Sequence, residues 1–350
     1  MVTKEQVLKA LSYVMDPDLH KDLVSLNMIE NIQIDGDKVS FSIVLTTPSC
    51  PLKGKIEADA RQAVLSMTEA TTVDITMSAK VKQPKPVDLA NNSFKHVIAV
   101  GSGKGGVGKS TISLNIALAL AKDGAKVGLL DADIYGPNIP RMLGIDHLPD
   151  TFEGEKVKPA EIYGLKVLSI GFMVQNGQPL IWRGPLLHSA IQQFLSDFNW
   201  GHLDYLVVDL PPGTGDVQLS LAQSIPISGG VVVTTPQQVA VDDASRAVGM
   251  FKKLEIPMFG VVENMSYLDM PDGTKLYIFG ENGGQHLASQ VGIPFLGRIP
   301  IDPAIGVGGD TGSPVVMQEP LSAAGLALVS ITRNIAAEAS KEAYRKNNAG

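Results

Sequence analysis

The chain has 350 residues, 44% apolar and 19% charged, with a formal net charge of −7. That length is enough for two domains, one with a full core, and the composition excludes disorder. The acidic balance supplies no field to draw in nucleic acid. No apolar run reaches the ~18 to 20 residues of a membrane span. The opening MVTKEQVLKALSYVMD lacks the apolar core and cleavage site of a signal peptide. One cysteine, Cys50, leaves no intrachain disulfide, and the expected compartment is the cytoplasm.

Val7, Leu8, Leu11, Val14 and Met15 recur at helical spacing, which predicts a first amphipathic helix. MIENIQIDGDKVSFSIVLTT reads as a hairpin, with Val39, Phe41, Ile43 and Leu45 alternating and Asp35-Gly36 as turn. A second helix follows, with Leu52, Ile56, Ala60, Ala63, Val64 and Met67 on one face, and VDITM closes a small α+β domain over 1–80. Residues 81–94 carry Pro84, Pro86 and paired Asn without helix or strand period, so they are expected to be an exposed linker. From 95 to 350 short apolar strands alternate with helices. HVIAV, KVGLLD, GLKVLSI, LDYLVVDL, GGVVVTT, MFGVVEN and PFLGRIP are the strands of a mostly parallel α/β sheet covered on both faces. Residues 187–198 form one covering helix. A last helix runs from Leu321 to about Tyr344 and ends in a polar, frayed KNNAG.

The strand HVIAV runs into Gly103-Lys104-Gly105-Gly106-Val107-Gly108-Lys109-Ser110-Thr111 and then into the helical ISLNIALALA. This is G-x-x-x-x-G-K-[ST] in its strand–loop–helix context, the phosphate-binding loop of a P-loop NTPase. Its glycines turn backbone N–H groups onto phosphate oxygens at a helix N-terminus. Lys109 is expected to reach the β and γ phosphates of ATP, and the Ser110 hydroxyl to ligate Mg²⁺. Strand-terminal carboxylates point toward that loop: Asp131 and Asp133 after one strand, Asp209 after another. Asp209 suits a water-mediated hold on Mg²⁺. Asp133 is assigned to orienting the attacking water and Asp131 to supporting Mg²⁺, with the alternative that one of the pair only caps the next turn. Pro211-Pro212-Gly213 reads as a stiff element with a hinge. The six histidines never fall at i, i+4, so they make no metal site.

Lys104, directly after the first loop glycine, resembles the signature lysine of the deviant Walker A ATPases, among them MinD, ParA, the nitrogenase iron protein and the Mrp carriers. In that subclass it crosses a dimer interface, so the resemblance implies a homodimer closing around ATP. Asn264, and Asp302 in Pro300-Ile301-Asp302, resemble adenine-contacting positions of the same subclass, with the alternative that Asn264 is a turn cap. DADIYGPNIPRMLG, the stretch 181–223 beginning IWRGPLLHSA, ENMSY, IFGENGG and RIPID look very like the Mrp (ApbC) family, ATPases that carry iron–sulfur clusters to apoproteins. DPDLHKDLVSLNMI and TTPSCPLK resemble the small metal–sulfur cluster assembly domain found at the N-terminus of many such chains. The resemblance implies slow ATP hydrolysis and partners among iron–sulfur apoproteins or assembly scaffolds.

One departure stands out. Where the family usually has Cys-Pro-x-Cys, this chain has Met270-Pro271-Asp272-Gly273, so a cluster held by four thiolates across a dimer has no ligands there. Cys50, in Pro48-Ser49-Cys50-Pro51, is the one thiol available for a labile cluster. Pro51 reads as the first residue of the second helix, which would place the thiol at a dipole-favoured N-terminus with a lowered pKa; Asp16 and Asp18 resemble the acidic positions of the same domain, with the alternative that Cys50 is a buried small hydrophobe and the Asp pair a turn. The competing reading is a MinD/ParA-type positioning or scaffold ATPase that carries no cluster. The last helix mixes Arg333 and Lys341 with Glu338 and Glu342, so it offers no basic membrane-binding face.

Overall fold

The structure, a computed structural model, describes residues 2–81, 87–89, 92–145, 147–148, 152–153, 156–172 and 184–348. The chain forms two compact units, Met1–Pro84 with Ala336–Gly350, and Lys85–Ile335. Among the described residues no helix is long and apolar enough to cross a membrane.

In the first unit α1 (Lys4–Leu11) opens on a capping box between Thr3 and Gln6 and buries Val7, Ala10 and Leu11. It stops at Leu11, so Met15, expected on the same face, is exposed instead. Strands β1 (Ile29–Asp35) and β2 (Lys38–Leu45) pair antiparallel with Asp35 opposite Lys38, leaving Gly36-Asp37 as the turn, with Gly36 at φ +63°. Val39, Phe41, Ile43 and Leu45 all point into the core, as their alternation requires. Helix α2 (Lys53–Met67) covers them with Ile56, Ala60 and Val64. Met67, expected on that face, is exposed at the helix end. Strand β3 (Thr72–Ala79) returns parallel to β2. Residues 336–350, expected to belong with the nucleotide-binding segment, group with this unit; Lys341 pairs with Asp18 at 2.9 Å.

The second unit is built from β4 (Val87–Leu89), β5 (Asn92–Ser102), α3 (Lys109–Lys122), β6 (Val127–Asp131), β7 (Ala160–Ile162), β8 (Leu165–Ser169) and α4 (Gly184–Ser196). It continues with β9 (His202–Asp209), α5 (Asp216–Ser224), β10 (Gly229–Thr234), α6 (Gln238–Lys253), β11 (Met258–Glu263), α7 (Gly283–Val291), β12 (Phe295–Arg298), α8 (Pro303–Thr311) and the start of α9 (Ala323–Asn348). The sheet order is β7-β8-β6-β9-β5-β10-β11-β12, with β4 beside β5. All seven expected strands lie in it and run parallel to one another. Two antiparallel members escaped the sequence reading: β7 against β8, and β4 against β5. The β4 strand lies in the expected linker, where three residues are too few to show a period; Pro84, Pro86 and Asn91 lie outside the described residues. So do residues 181–183 of the family-like IWRG, and the side chain of Leu187. The last helix extends through Asn348, beyond the expected fray point.

Large aromatic side chains fix the covering helix to the sheet. Trp200 is fully buried, meets Phe94 edge-on at 6.3 Å, and donates its indole N–H to the Phe194 carbonyl at 2.7 Å. Asn92 ties the same region by donating to the carbonyls of Leu195 and Phe198, each at 2.8 Å. Trp200→Ala removes the packing and orphans a buried carbonyl, so it is expected to cost about 3–5 kcal/mol. That corresponds to a thermal midpoint lowered by roughly 10 °C. A calorimetric shift below about 3 °C contradicts this placement of the core.

Candidate functional site

Register brings the carboxylates together. Asp209 at the end of β9 lies opposite both Asp131 of β6 and Val100 of β5, and Asp131 lies opposite Ser169 of β8. The strand ends are therefore level on the carboxyl edge of the sheet, where β5 passes into the glycine-rich loop. Gly106 and Gly108 have φ of +81° and +85°, which turns the loop inward. A Cβ at Gly108 would also run into the Asn264 amide, so this position needs glycine twice over. The loop borders a cavity of about 960 Å³ whose walls include Lys104, Ser110, Thr111, Asp133, Asn264 and Asp302.

At the floor of the cavity sits one buried lysine. Lys109, the first residue of α3, places its ammonium 2.8 Å from Asp209 Oδ1 and 3.3 Å from Asp133 Oδ2. Burial works against its charge, but the carboxylates of Asp209, Asp133 and Asp131 outweigh that and hold its pKa above the ordinary lysine value. Ser110 donates to Asp209 Oδ2 at 2.5 Å, and Ser113 donates to Asp209 Oδ1 at 2.7 Å. The Ser110 hydroxyl and the Asp209 carboxylate are adjacent hard oxygens, the donor type that Mg²⁺ takes. Asp131 accepts from Ser169 Oγ at 2.8 Å and from the N–H groups of Asp133 and Ile139. Burial, and next the charge of Asp209, push Asp131 up to about 7. Asp133 is likewise raised, first by burial, with Lys109 opposing.

The expected face sharing of Asp131 and Asp133 takes a different form. The strand ends at Asp131, and Asp133 stands in the loop beyond it. One Asp133 oxygen caps the next turn, accepting from the N–H groups of Tyr135 and Gly136, while the other meets Lys109. Capping and charge pairing coexist in one side chain. Asn264 borders the cavity, and its Nδ2 donates to the Val107 carbonyl at 2.9 Å, which braces the loop. Asp302 caps α8 by accepting from the Ala304 N–H. Lys104 lines the cavity, and its carbonyl accepts from Ser102 Oγ at 2.9 Å. Ser113 and Ser169 were missed by sequence reading. Ser113 was findable, lying one helical turn beyond Ser110 and on the same face; Ser169 owes its role to the β8–β6 register alone.

Cys50 lies in the first unit, partly buried. Helix α2 starts at Lys53 with Leu52 as its cap, so Pro51 is not its first residue and Cys50 stands before the helix end. The expected low pKa is reversed: burial raises the thiol, and the charges of Asp16 and Asp18 raise it further, against the backbone N–H groups of Leu52 and Lys53. Met270-Pro271-Asp272-Gly273 forms the tip of a small hairpin between Leu268–Asp269 and Lys275–Leu276. Asp272 accepts from both the N–H and the hydroxyl of Thr274, which closes the turn without any thiol.

The Asp131 environment sets a pH dependence. Its folded pKa of about 7 exceeds the ordinary 3.8, so between those values the folded chain holds a proton that the unfolded chain has released. Stability from this group is present below about pH 4 and is lost as pH rises toward 7. Asp131→Asn is expected to flatten the fall of the thermal midpoint across that window in the nucleotide-free protein. An unchanged slope in scanning calorimetry contradicts the burial assigned to Asp131.

Residues 93–336 match the family described as NUBPL iron-transfer P-loop NTPase, and residues 4–75 match the iron-sulfur cluster assembly protein family. An iron-sulfur cluster carrier protein of Deinococcus radiodurans is 50% identical over 96% of this chain and 95% of its own length. Another of that name, from Synechocystis sp., is 46% identical over 98% of this chain and 99% of its own. Among solved structures, a nucleotide-binding protein of Archaeoglobus fulgidus in complex with ADP is 39% identical, with a TM-score of 0.56 over 63% of this chain and 87% of that one. With the phosphate loop, the level strand-end carboxylates and these likenesses in hand, the chain belongs to the family of iron-transfer P-loop NTPases that carry an N-terminal cluster-assembly domain.

Proposed function

We propose that this chain binds ATP with Mg²⁺, hydrolyses it slowly as a homodimer, and uses that cycle to deliver iron–sulfur clusters to apoproteins or to exchange them with assembly scaffolds. The observation that carries the nucleotide part is the Lys109 ammonium held between Asp209 and Asp133 beside Ser110. In the absence of phosphate this lysine is neutralised internally. When the β and γ phosphates enter the loop, they compete for Lys109 and draw it off Asp133. The freed Asp133 oxygen then accepts a hydrogen bond from water and aims it at the γ phosphate. The ion pair thus keeps the hydrolytic carboxylate occupied until substrate arrives. Ser110 directly, and Asp209 through water, would hold Mg²⁺, which supplies positive charge to the phosphates. Asp131 supports that end of the site from beneath, and Lys104 reaches the partner subunit's nucleotide. Asn264 and Asp302, on the walls of the same cavity, would meet the adenine base, Asn264 while also bracing the phosphate loop.

The cluster part rests on the two family matches and on the names of the relatives, which favour carriage over a positioning role without a cluster. The thiol inventory limits how it is done. One cysteine per chain gives a dimer two thiolates, too few for a four-thiolate cluster, and the Met270–Gly273 turn adds none. Cys50, with its raised pKa, is a weak ligand until a client's cysteines or a small thiol complete the set. A bound cluster is therefore labile, suited to hand-over rather than storage.

Two variants separate the parts. Lys109→Ala is expected to lose ATP binding and all hydrolysis, while Cys50→Ser keeps ATP turnover near wild type and loses cluster delivery to an apoprotein. Calorimetric titration with ATP, and recovery of the apoprotein's activity after anaerobic transfer, read the two effects. Unchanged ATP affinity in Lys109→Ala contradicts the nucleotide site, and undiminished delivery by Cys50→Ser contradicts carriage through this thiol.

A further inference from the structure

Gln218 lies on the first turns of α5 and is 1% exposed, yet neither its Nε2 nor its Oε1 has a hydrogen-bond partner among the described residues. A primary amide buried without partners is costly, since each unmade bond forfeits the solvation of that group. Native structures keep few such groups, and each one kept calls for an explanation. The amide's surroundings name the segment. It packs on β5 at Gly101, where a Cβ would lie 3.2 Å from Nε2 and 3.1 Å from the Phe251 ring. Next along the chain come Ser102, the last residue of β5, and Gly103, the first of the phosphate loop. The Ser102 carbonyl accepts from the Gly213 N–H at 3.0 Å, so the same strand end carries the Pro211-Pro212-Gly213 turn that leads into α5. Gly213 is at φ +94°, and Gly215, the cap of α5, lends no side-chain bond to its helix.

We propose that Gln218 is a positioning residue for this switch segment: its amide is unsatisfied in the present arrangement and pairs with backbone of the 210–215 segment or of β5 once ATP has drawn the phosphate loop inward. The unpaired amide raises the energy of this arrangement, and its pairing would stabilise the ATP-bound one. ATP and ADP are thereby told apart at a residue that touches neither. The inference rests on the nucleotide reading above. It adds to that reading a residue that is not among those lining the cavity.

The test replaces the amide by an apolar group of similar size. Gln218→Leu is expected to raise the thermal midpoint of the nucleotide-free protein by about 2–4 °C, because an unsatisfied amide is removed. It is also expected to weaken ATP binding by about tenfold, one lost hydrogen bond, while ADP affinity changes by less than about threefold. Gln218→Asn keeps the amide but shortens its reach, so it should weaken ATP binding without raising the midpoint. A midpoint unchanged or lowered in Gln218→Leu overturns the proposal, since the amide then already has partners at rest. A raised midpoint with ATP and ADP affected alike overturns it too, because the role is then structural only. The wild-type titration run alongside separates the two levels: no ATP binding there defeats the nucleotide reading and this inference with it, whereas normal wild-type binding with an indifferent Gln218→Leu defeats this inference alone.

Discussion

One buried lysine organises the nucleotide site. With Lys109 charged and Asp131, Asp133 and Asp209 ionised, the cluster carries a net charge of −2 in a largely buried place at the floor of the cavity. Burying each ion costs several kcal/mol, and the attraction of a lysine to carboxylates about 3 Å away recovers about that much at an effective dielectric near 20. One cation cannot settle three anions, so the excess is absorbed where desolvation is strongest, at Asp131, which keeps its proton up to about pH 7. The hydroxyls of Ser110, Ser113 and Ser169 then satisfy oxygens that charge alone leaves uncompensated. The excess of carboxylate over cation beside the phosphate loop supports the proposed binding of nucleotide with Mg²⁺.

The sheet exists, in this sense, to hold four strand ends level. Parallel pairing of β8, β6, β9 and β5 aligns Ser169, Asp131, Asp209 and Val100 across one edge. The apolar strands and the helices over them supply the rigidity that such a charge cluster needs. The first unit follows a different logic, with a three-stranded sheet under two helices and a single guarded thiol. Under the proposed function, nucleotide state and cargo would be handled by different residues in two separately built units.

Much of this was legible in the sequence because the signals were local. The glycine-rich loop declares itself through residue types at fixed offsets, and the seven parallel strands through runs of β-branched and aliphatic residues that need no partner to be seen. What stayed hidden was set by pairing and packing. Val87–Leu89 becomes a strand only because β5 lies beside it. Ser169 reaches Asp131 only through register, and the Asn264 amide is spent on the Val107 carbonyl through a contact 157 positions apart in the chain. The thiol of Cys50 failed in sign for a related reason. Sequence placed it at a helix end, but the helix begins later and the nearby acids and burial dominate.

The central claim is that Lys109 changes partners, leaving Asp133 for phosphate and so releasing the carboxylate that orients water. The most direct measurement is a crystal structure of this chain with a non-hydrolysable ATP analogue and Mg²⁺. The account predicts that Lys109 Nζ lies within hydrogen-bond distance of β- and γ-phosphate oxygens, that its separation from Asp133 exceeds the present 3.3 Å by enough to break the pair, and that a water sits on the freed oxygen. A fully occupied nucleotide with Lys109 still bound to both Asp133 and Asp209 would contradict it.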